Sequence, residues 1–223
     1  MTKYGIKRVL ITGATGMVGG FVLKQLLIDP SVEEVISIGR RKSGVTDEKL
    51  TEIIHSDFLK FSPVKDKLKG IDVCIYCLGV YQPHVSKEQF FEVTCDYQKA
   101  LTDVLEKSST DLTFVLFGAQ GADPSGKSKV TFAKGKGRAE KQLMKTVFPK
   151  KYIFRPGYIH PTGERKPGGF VHTLLSPLAK AIYKFFPSMG IDDRDLARAM
   201  VDTGLTGTRE PDTYENKDIR EMI

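Results

Sequence analysis

The sequence predicts an α/β fold, a doubly wound parallel sheet with helices on both faces. Three observations carry this. Short apolar runs alternate with segments of helical periodicity as far as residue 155. The first run ends in a glycine-rich turn that opens a helix. The alternation breaks only after Pro156-Gly157, in a stretch rich in Pro, Gly and aromatics. Strand–helix alternation implies βαβ units and hence parallel strands. An insert beyond the last strand is where such folds build a substrate pocket.

In order, Lys7–Thr12 reads as a buried strand. Met17–Ile28 reads as a helix, with Val18, Phe21, Val22, Leu26 and Leu27 at helical spacing and a stop at Asp29-Pro30. Val35–Ile38, Glu52–His55 and Val73–Leu78 supply the next three strands. Lys87–Lys107 reads as one long helix and Leu112–Phe117 as a fifth strand. Thr131–Val147 is a basic helix ended by Phe148-Pro149, and Tyr152–Arg155 is a sixth strand. One domain over residues 1–223 is expected, with 158–191 as a small C-terminal insert covering the substrate pocket.

Composition narrows the function classes. The 223 residues are 40% hydrophobic and 27% charged, as in an ordinary folded domain. No apolar run approaches the ~20 residues of a membrane span. The net charge of +7 is densest over Lys127, Lys129, Lys134, Lys136, Arg138, Lys141 and Lys145. No interleaved aromatics accompany it, so a phosphate-bearing small molecule is favoured over nucleic acid. Three cysteines, an odd number, suit a reducing cytoplasm better than a disulfide framework. Cys74 and Cys77 form a CxxC, but residues three apart on a strand face opposite ways, so they read as packing residues and no metal site is expected.

The chemistry lies in Thr12-Gly13-Ala14-Thr15-Gly16-Met17-Val18-Gly19. Gly13 allows a tight turn, Gly16 leaves room for a pyrophosphate, and Gly19 lets helix pack closely on sheet. Exposed amides and the helix dipole then hold phosphate. Strand before and helix after make this a Rossmann-type dinucleotide site. The second strand ends in Gly39-Arg40-Arg41-Lys42, where an NAD-specific site would place an acid for the ribose 2′-hydroxyl. Arg40 and Arg41 instead suit a 2′-phosphate, which points to NADP(H). Asp57-Phe58 and Leu78-Gly79 follow later strands at the adenosine side. Asp57 and Gly79 read equally well as adenine or ribose contacts and as turn residues.

With these motifs assembled, the chain resembles the atypical short-chain dehydrogenases, and within them the branch containing the HIV Tat-interacting oxidoreductase-like protein. Asp96-Tyr97, Gly121-Ala122-Asp123, Lys134-Gly135, Phe154-Arg155-Pro156-Gly157, Lys166-Pro167-Gly168 and Glu215-Asn216-Lys217 extend the resemblance over nearly the whole chain. It implies that Lys134 is the lysine of the Tyr-x-x-x-Lys motif, binding the nicotinamide ribose and acting in catalysis. It also implies that Pro156 and Gly157 pass the nicotinamide ring. The motif's tyrosine then falls at Val130 and the family serine at Gly118-Ala119, so both proton-handling hydroxyls are missing. Ser128, Thr131, Tyr81 and His84 are the neighbouring alternatives, and His84 and His160 read first as ordinary loop histidines.

Phe170–Phe186 carries Phe170, Leu174, Leu175, Leu178, Ile182 and Phe186. It suits packing on the domain, an apolar pocket wall, a membrane-surface helix or a homodimer face. Glu164-Arg165-Lys166 suits an anionic substrate or a solvated loop. The expectation is an NADP(H)-dependent oxidoreductase on an unidentified small molecule. The alternatives are a non-catalytic redox sensor acting on a regulatory protein partner, and an epimerase- or dehydratase-like enzyme on a nucleotide sugar.

Overall fold

The structure is a computed structural model describing residues 7–162, 190–207 and 212–223. Seven parallel strands form one sheet: β1 (Lys7–Thr12), β2 (Val32–Gly39), β3 (Leu50–Ile54), β4 (Val73–Tyr76), β5 (Thr113–Phe117), β6 (Lys150–Arg155) and, near the C-terminus, β9 (Thr213–Glu215). Their spatial order is β3-β2-β1-β4-β5-β6-β9. β1 pairs with β2 on one side (Thr12 opposite Ile38) and with β4 on the other (Thr12 opposite Tyr76). The winding reverses there, leaving a crevice at the carboxyl ends of β1 and β4, where such sheets bind ligands.

Each central strand is buried on both faces, which explains its unbroken apolar composition. Val9, Ile11, Val73, Ile75 and Val115 pack with α1 (Met17–Ile28) and α5 (Asp193–Thr206). Leu10, Cys74, Tyr76, Phe114 and Leu116 face the other way, against α3 (Tyr97–Ser108) and α4 (Thr131–Met144). Cys74 lies in this second core, whereas Cys77, just past β4, packs on the first.

The helix expected over Lys87–Lys107 is α2 (Lys87–Phe91), capped by the Ser86 hydroxyl, then one π turn (Glu92–Asp96), then α3. Periodicity sees one amphipathic segment because a π turn adds a residue without breaking the helix. From the sequence six strands were expected. The seventh, β9, has only three residues, too few for a pattern, and Tyr214 joins the core beside Phe154. The short helix α6 (Asn216–Arg220) follows it, fixed by a reciprocal cap between Glu215 and Asp218.

The Phe170–Phe186 segment, Glu164-Arg165-Lys166 and Lys166-Pro167-Gly168 lie outside the described residues. At the ends of the expected insert, β7 (Tyr158–His160) and β8 (Gly190–Asp192) pair in parallel, His160 opposite Asp192. Among the described residues no helix is long and apolar enough to cross a membrane.

Candidate dinucleotide site

Gly13 ends β1 with φ +73°, and a Cβ there would lie 2.5 Å from the Cys77 carbonyl oxygen. Only glycine combines that backbone conformation with so close a neighbour. The Gly16 amide donates to Gly13 O (2.8 Å) and closes the turn. Thr12 ties it to β4, its carbonyl accepting from Cys77 N (3.2 Å) and its hydroxyl from Leu78 N (3.3 Å). A Cβ on Gly19 would stand 2.2 Å from Gly13 O, so α1 packs directly on the turn. No side chain caps α1 and its first turn holds no acid. Its positive end therefore faces the crevice ready for an anion.

Beside the turn is a groove of about 330 Å³ lined by Gly13, Thr15, Arg40, Arg41, Phe58 and Leu78, with Ser37–Gly39 at its base. Both arginines are exposed, and none of the residues lining the groove is acidic. Gly16 and Met17 instead line an adjoining cavity of about 760 Å³ whose walls include Thr162, Asp193 and Arg194. There Asp193, which sequence reasoning missed, is buried and accepts from Thr162 N (3.0 Å) and Thr162 Oγ1 (2.6 Å).

Phe58 is buried and stacks on Tyr97, ring centroids 5.6 Å apart. The Tyr97 hydroxyl donates to Glu92 (2.8 Å). Burial, then the Glu92 contact, push that hydroxyl above its ordinary range. Arg40 pulls the other way and Asp57 adds to the rise. Asp57 itself is exposed, accepts from Leu59 N (3.1 Å), and does not line the groove, and neither does Gly79.

The other end of the crevice is formed by β4, β5 and β6. Gln120 N donates to Pro156 O (3.0 Å), and Gly157 N to the Asn216 side chain (2.9 Å), so the loops after β5, β6 and β9 meet. Beneath them Arg155 makes two bonds to buried Glu140 (2.5 and 3.0 Å) and one to Glu215 (2.8 Å). Those carboxylates, Glu140 first, hold the guanidinium charged.

The structure does not bring Lys134 to this end. Lys134 is exposed and lines an outer hollow with Lys87, Phe91 and Arg138. Lys136 reaches the strand ends instead, its Nζ 3.5 Å from the carbonyl oxygen of Phe117, the last residue of β5, and 5.8 Å from that ring's centroid. Burial pulls its ammonium below the usual lysine range, while Glu140, Cys95 and Cys77 favour the charge. Burial pushes the Cys77 thiol up to about 12, opposed by Lys136. The two lysines lie in Lys134-Gly135-Lys136-Gly137. The Lys-Gly pair occurs twice, and two residues along a helix turn a side chain by about 200°, to the opposite face.

Four residues before Lys136 is Phe132, half-buried and stacked on Phe90 at 6.1 Å. Val130 is exposed and is the extended N-cap residue of α4, its carbonyl accepting from Lys134 N (3.0 Å), one turn before Lys134. At Gly118 a Cβ would lie 2.9 Å from Phe154 O and 3.1 Å from Glu140, which leaves no room for serine. Of the alternative donors, Ser128 accepts from Val130 N (3.1 Å), and Tyr81 and His84 pack on each other. His160 pairs with Asp192 at 3.1 Å.

The family model of the NAD-dependent epimerase/dehydratase family matches residues 9–135. Among curated proteins, the chain is 28% identical over 205 residues to "Protein FMP52, mitochondrial" of Meyerozyma guilliermondii, covering 89% of this chain and 85% of that one. It is 30% identical over 155 residues to "Protein HTATIP2" of Rattus norvegicus, covering 69% and 63%. Among solved structures, the Bordetella bronchiseptica enzyme WbmG, in complex with NAD, superposes with TM-score 0.70 at 16% identity, covering 99% and 77%. A short chain dehydrogenase family protein from Francisella tularensis gives 0.63 at 17%, covering 90% and 91%. The cytoplasmic expectation is overturned by the relatives named mitochondrial, in Meyerozyma guilliermondii and Emericella nidulans among others. Its basis was too coarse, since free cysteines report a reducing environment and not an address. By its family match and its sheet order, this chain belongs to the NAD-dependent epimerase/dehydratase family.

Proposed function

We propose that the chain binds NADP(H) and acts as an oxidoreductase on a small molecule. One observation carries the cofactor choice: Arg40 and Arg41 line the groove at the end of β2, and no acid lines it with them. Gly13, Thr15, Gly16, Met17 and Gly19 would seat the pyrophosphate, with Phe58 and Leu78 beside the adenosine. Lys136 would hold the nicotinamide-side ribose, and Pro156 and Gly157 would pass the ring. The bound cofactor supplies hydride chemistry. The chain must supply orientation, exclusion of water and a proton.

That last item favours a second reading. Phe132 stands one turn from Lys136 without a hydroxyl, and Gly118 has no room for one. A dinucleotide-occupied sensor needs neither group, whereas a reductase or an epimerase needs a proton donor. The deciding experiment is direct binding of NADPH and NADH beside a screen of NADPH oxidation with carbonyl compounds. Tighter NADPH binding with turnover supports the enzyme, and tight binding without turnover across the screen supports the sensor. Preference for NADH would refute the cofactor assignment.

A further inference from the structure

The outer hollow that holds Lys134 is not part of the dinucleotide groove. It encloses about 460 Å³ between the start of α2, the loop at residues 123–126 and the outer stripe of α4. Such a volume lies within the range of small-molecule sites, about 300–1,000 Å³. Lys87, Lys134, Arg138 and Lys141 supply its charge, and Phe91 and Pro124 an apolar wall.

Among the described residues the local acids leave three of these four cations without an ion pair. Asp123 accepts from Ser125 N (2.9 Å), Ser125 Oγ (2.6 Å) and Ser128 N (2.6 Å), so its carboxylate is spent on its own turn. Those bonds, the Ser125 hydroxyl's first, hold it below the usual carboxylate range. Asp96 pairs with Arg138 at 3.1 Å. Among the described residues Lys87, Lys134 and Lys141 make no ion pair.

The arrangement also works against the helix that carries it. Lys134 stands near the N-terminus of α4, where the dipole favours negative charge, and the first turn has neither an acid nor a side-chain cap. Lys134 and Arg138 are like charges four apart, a spacing that destabilises a helix. A bound anion reverses both effects.

We propose that this hollow binds a small phosphate-bearing anion, a phosphate monoester or diphosphate with an apolar portion against Phe91. Several cations around one point suit a di- or trianion, and the Arg138 fork suits phosphate oxygens. The site stands independently of the cofactor reading.

The test is calorimetric titration of the full chain with inorganic pyrophosphate, with and without saturating NADPH. With NADPH filling the glycine turn one site per chain is expected, weakening as salt rises, and without NADPH that turn is free to take a second pyrophosphate. K87E/K141E, two exposed lysines outside the groove, should weaken pyrophosphate at least tenfold and leave NADPH binding unchanged. K87Q/K141Q should fall between, which separates lost charge from a disturbed fold. Equal pyrophosphate affinity in wild type and K87E/K141E would overturn the proposal, as would absence of binding at millimolar pyrophosphate. Binding to phosphatidate-containing vesicles without binding of soluble pyrophosphate would overturn it too, by making the basic face a membrane-docking surface.

Discussion

The β1–β2 end of the crevice carries the groups proposed to hold a dinucleotide. Gly13 turns at φ +73°, Gly19 packs under it, and Arg40 and Arg41 line the groove. At the β4–β6 end the scaffold is equally well built, with Lys136 on the end of β5 and Arg155 locked between Glu140 and Glu215. Phe132, one turn before Lys136, and Gly118, after β5, carry no hydroxyl. The contrast teaches that seating a cofactor and moving a proton rest on different residues at opposite ends of one crevice, so the two proposed roles can be tested separately.

The largest effect is expected on the scaffold of the β4–β6 end. Glu140→Gln leaves Arg155 half-buried with only Glu215, and removing one partner of such a pair costs about 3 kcal/mol. Urea denaturation should show this as a lower midpoint at unchanged slope. A shift under about 0.5 kcal/mol, the size of an ordinary surface substitution, would mean the pair does not brace this end.

Gly19→Ala attacks the opposite end. Its Cβ would meet backbone oxygen at 2.2 Å, so the turn must move. Dinucleotide affinity should drop more than a hundredfold, about 2.7 kcal/mol. Unchanged affinity would show that the cofactor does not sit on this turn.

How much of this was legible beforehand follows from sequence distance. The glycine turn and Arg40-Arg41 are local motifs, read against the strands that precede them, and the structure lines one groove with Gly13, Thr15, Arg40, Arg41, Phe58 and Leu78. Lys-Gly repeats in tandem at Lys134 and Lys136, and only tertiary packing decides which of the two reaches the end of β5. Glu140 and Arg155 are 15 residues apart and meet only once α4 lies on β6. Asp193 and Thr162 are 31 apart, with no pattern to join them.

The smallest effect sharpens the comparison. Phe132→Tyr adds one hydroxyl a helical turn from Lys136, whose charge should lower the phenol's pKa. NADPH oxidation with simple carbonyls should rise from little or none to a measurable rate, then vanish on adding Lys136→Ala. The gain should be modest, since the supporting contacts of a transplanted acid are absent. Brisk turnover by the unaltered chain, insensitive to Lys136→Ala, would place the acid elsewhere.

Arg40 and Arg41 are proposed to read a 2′-phosphate at the β1–β2 end. Titrating wild type and Arg40→Ala/Arg41→Ala with NADPH and with NADH tests it most directly. The double substitution should weaken NADPH by about ten- to a hundredfold, about 1.5–3 kcal/mol for charge-assisted contacts. NADH affinity should stay nearly unchanged. Equal losses for the two cofactors would contradict the account.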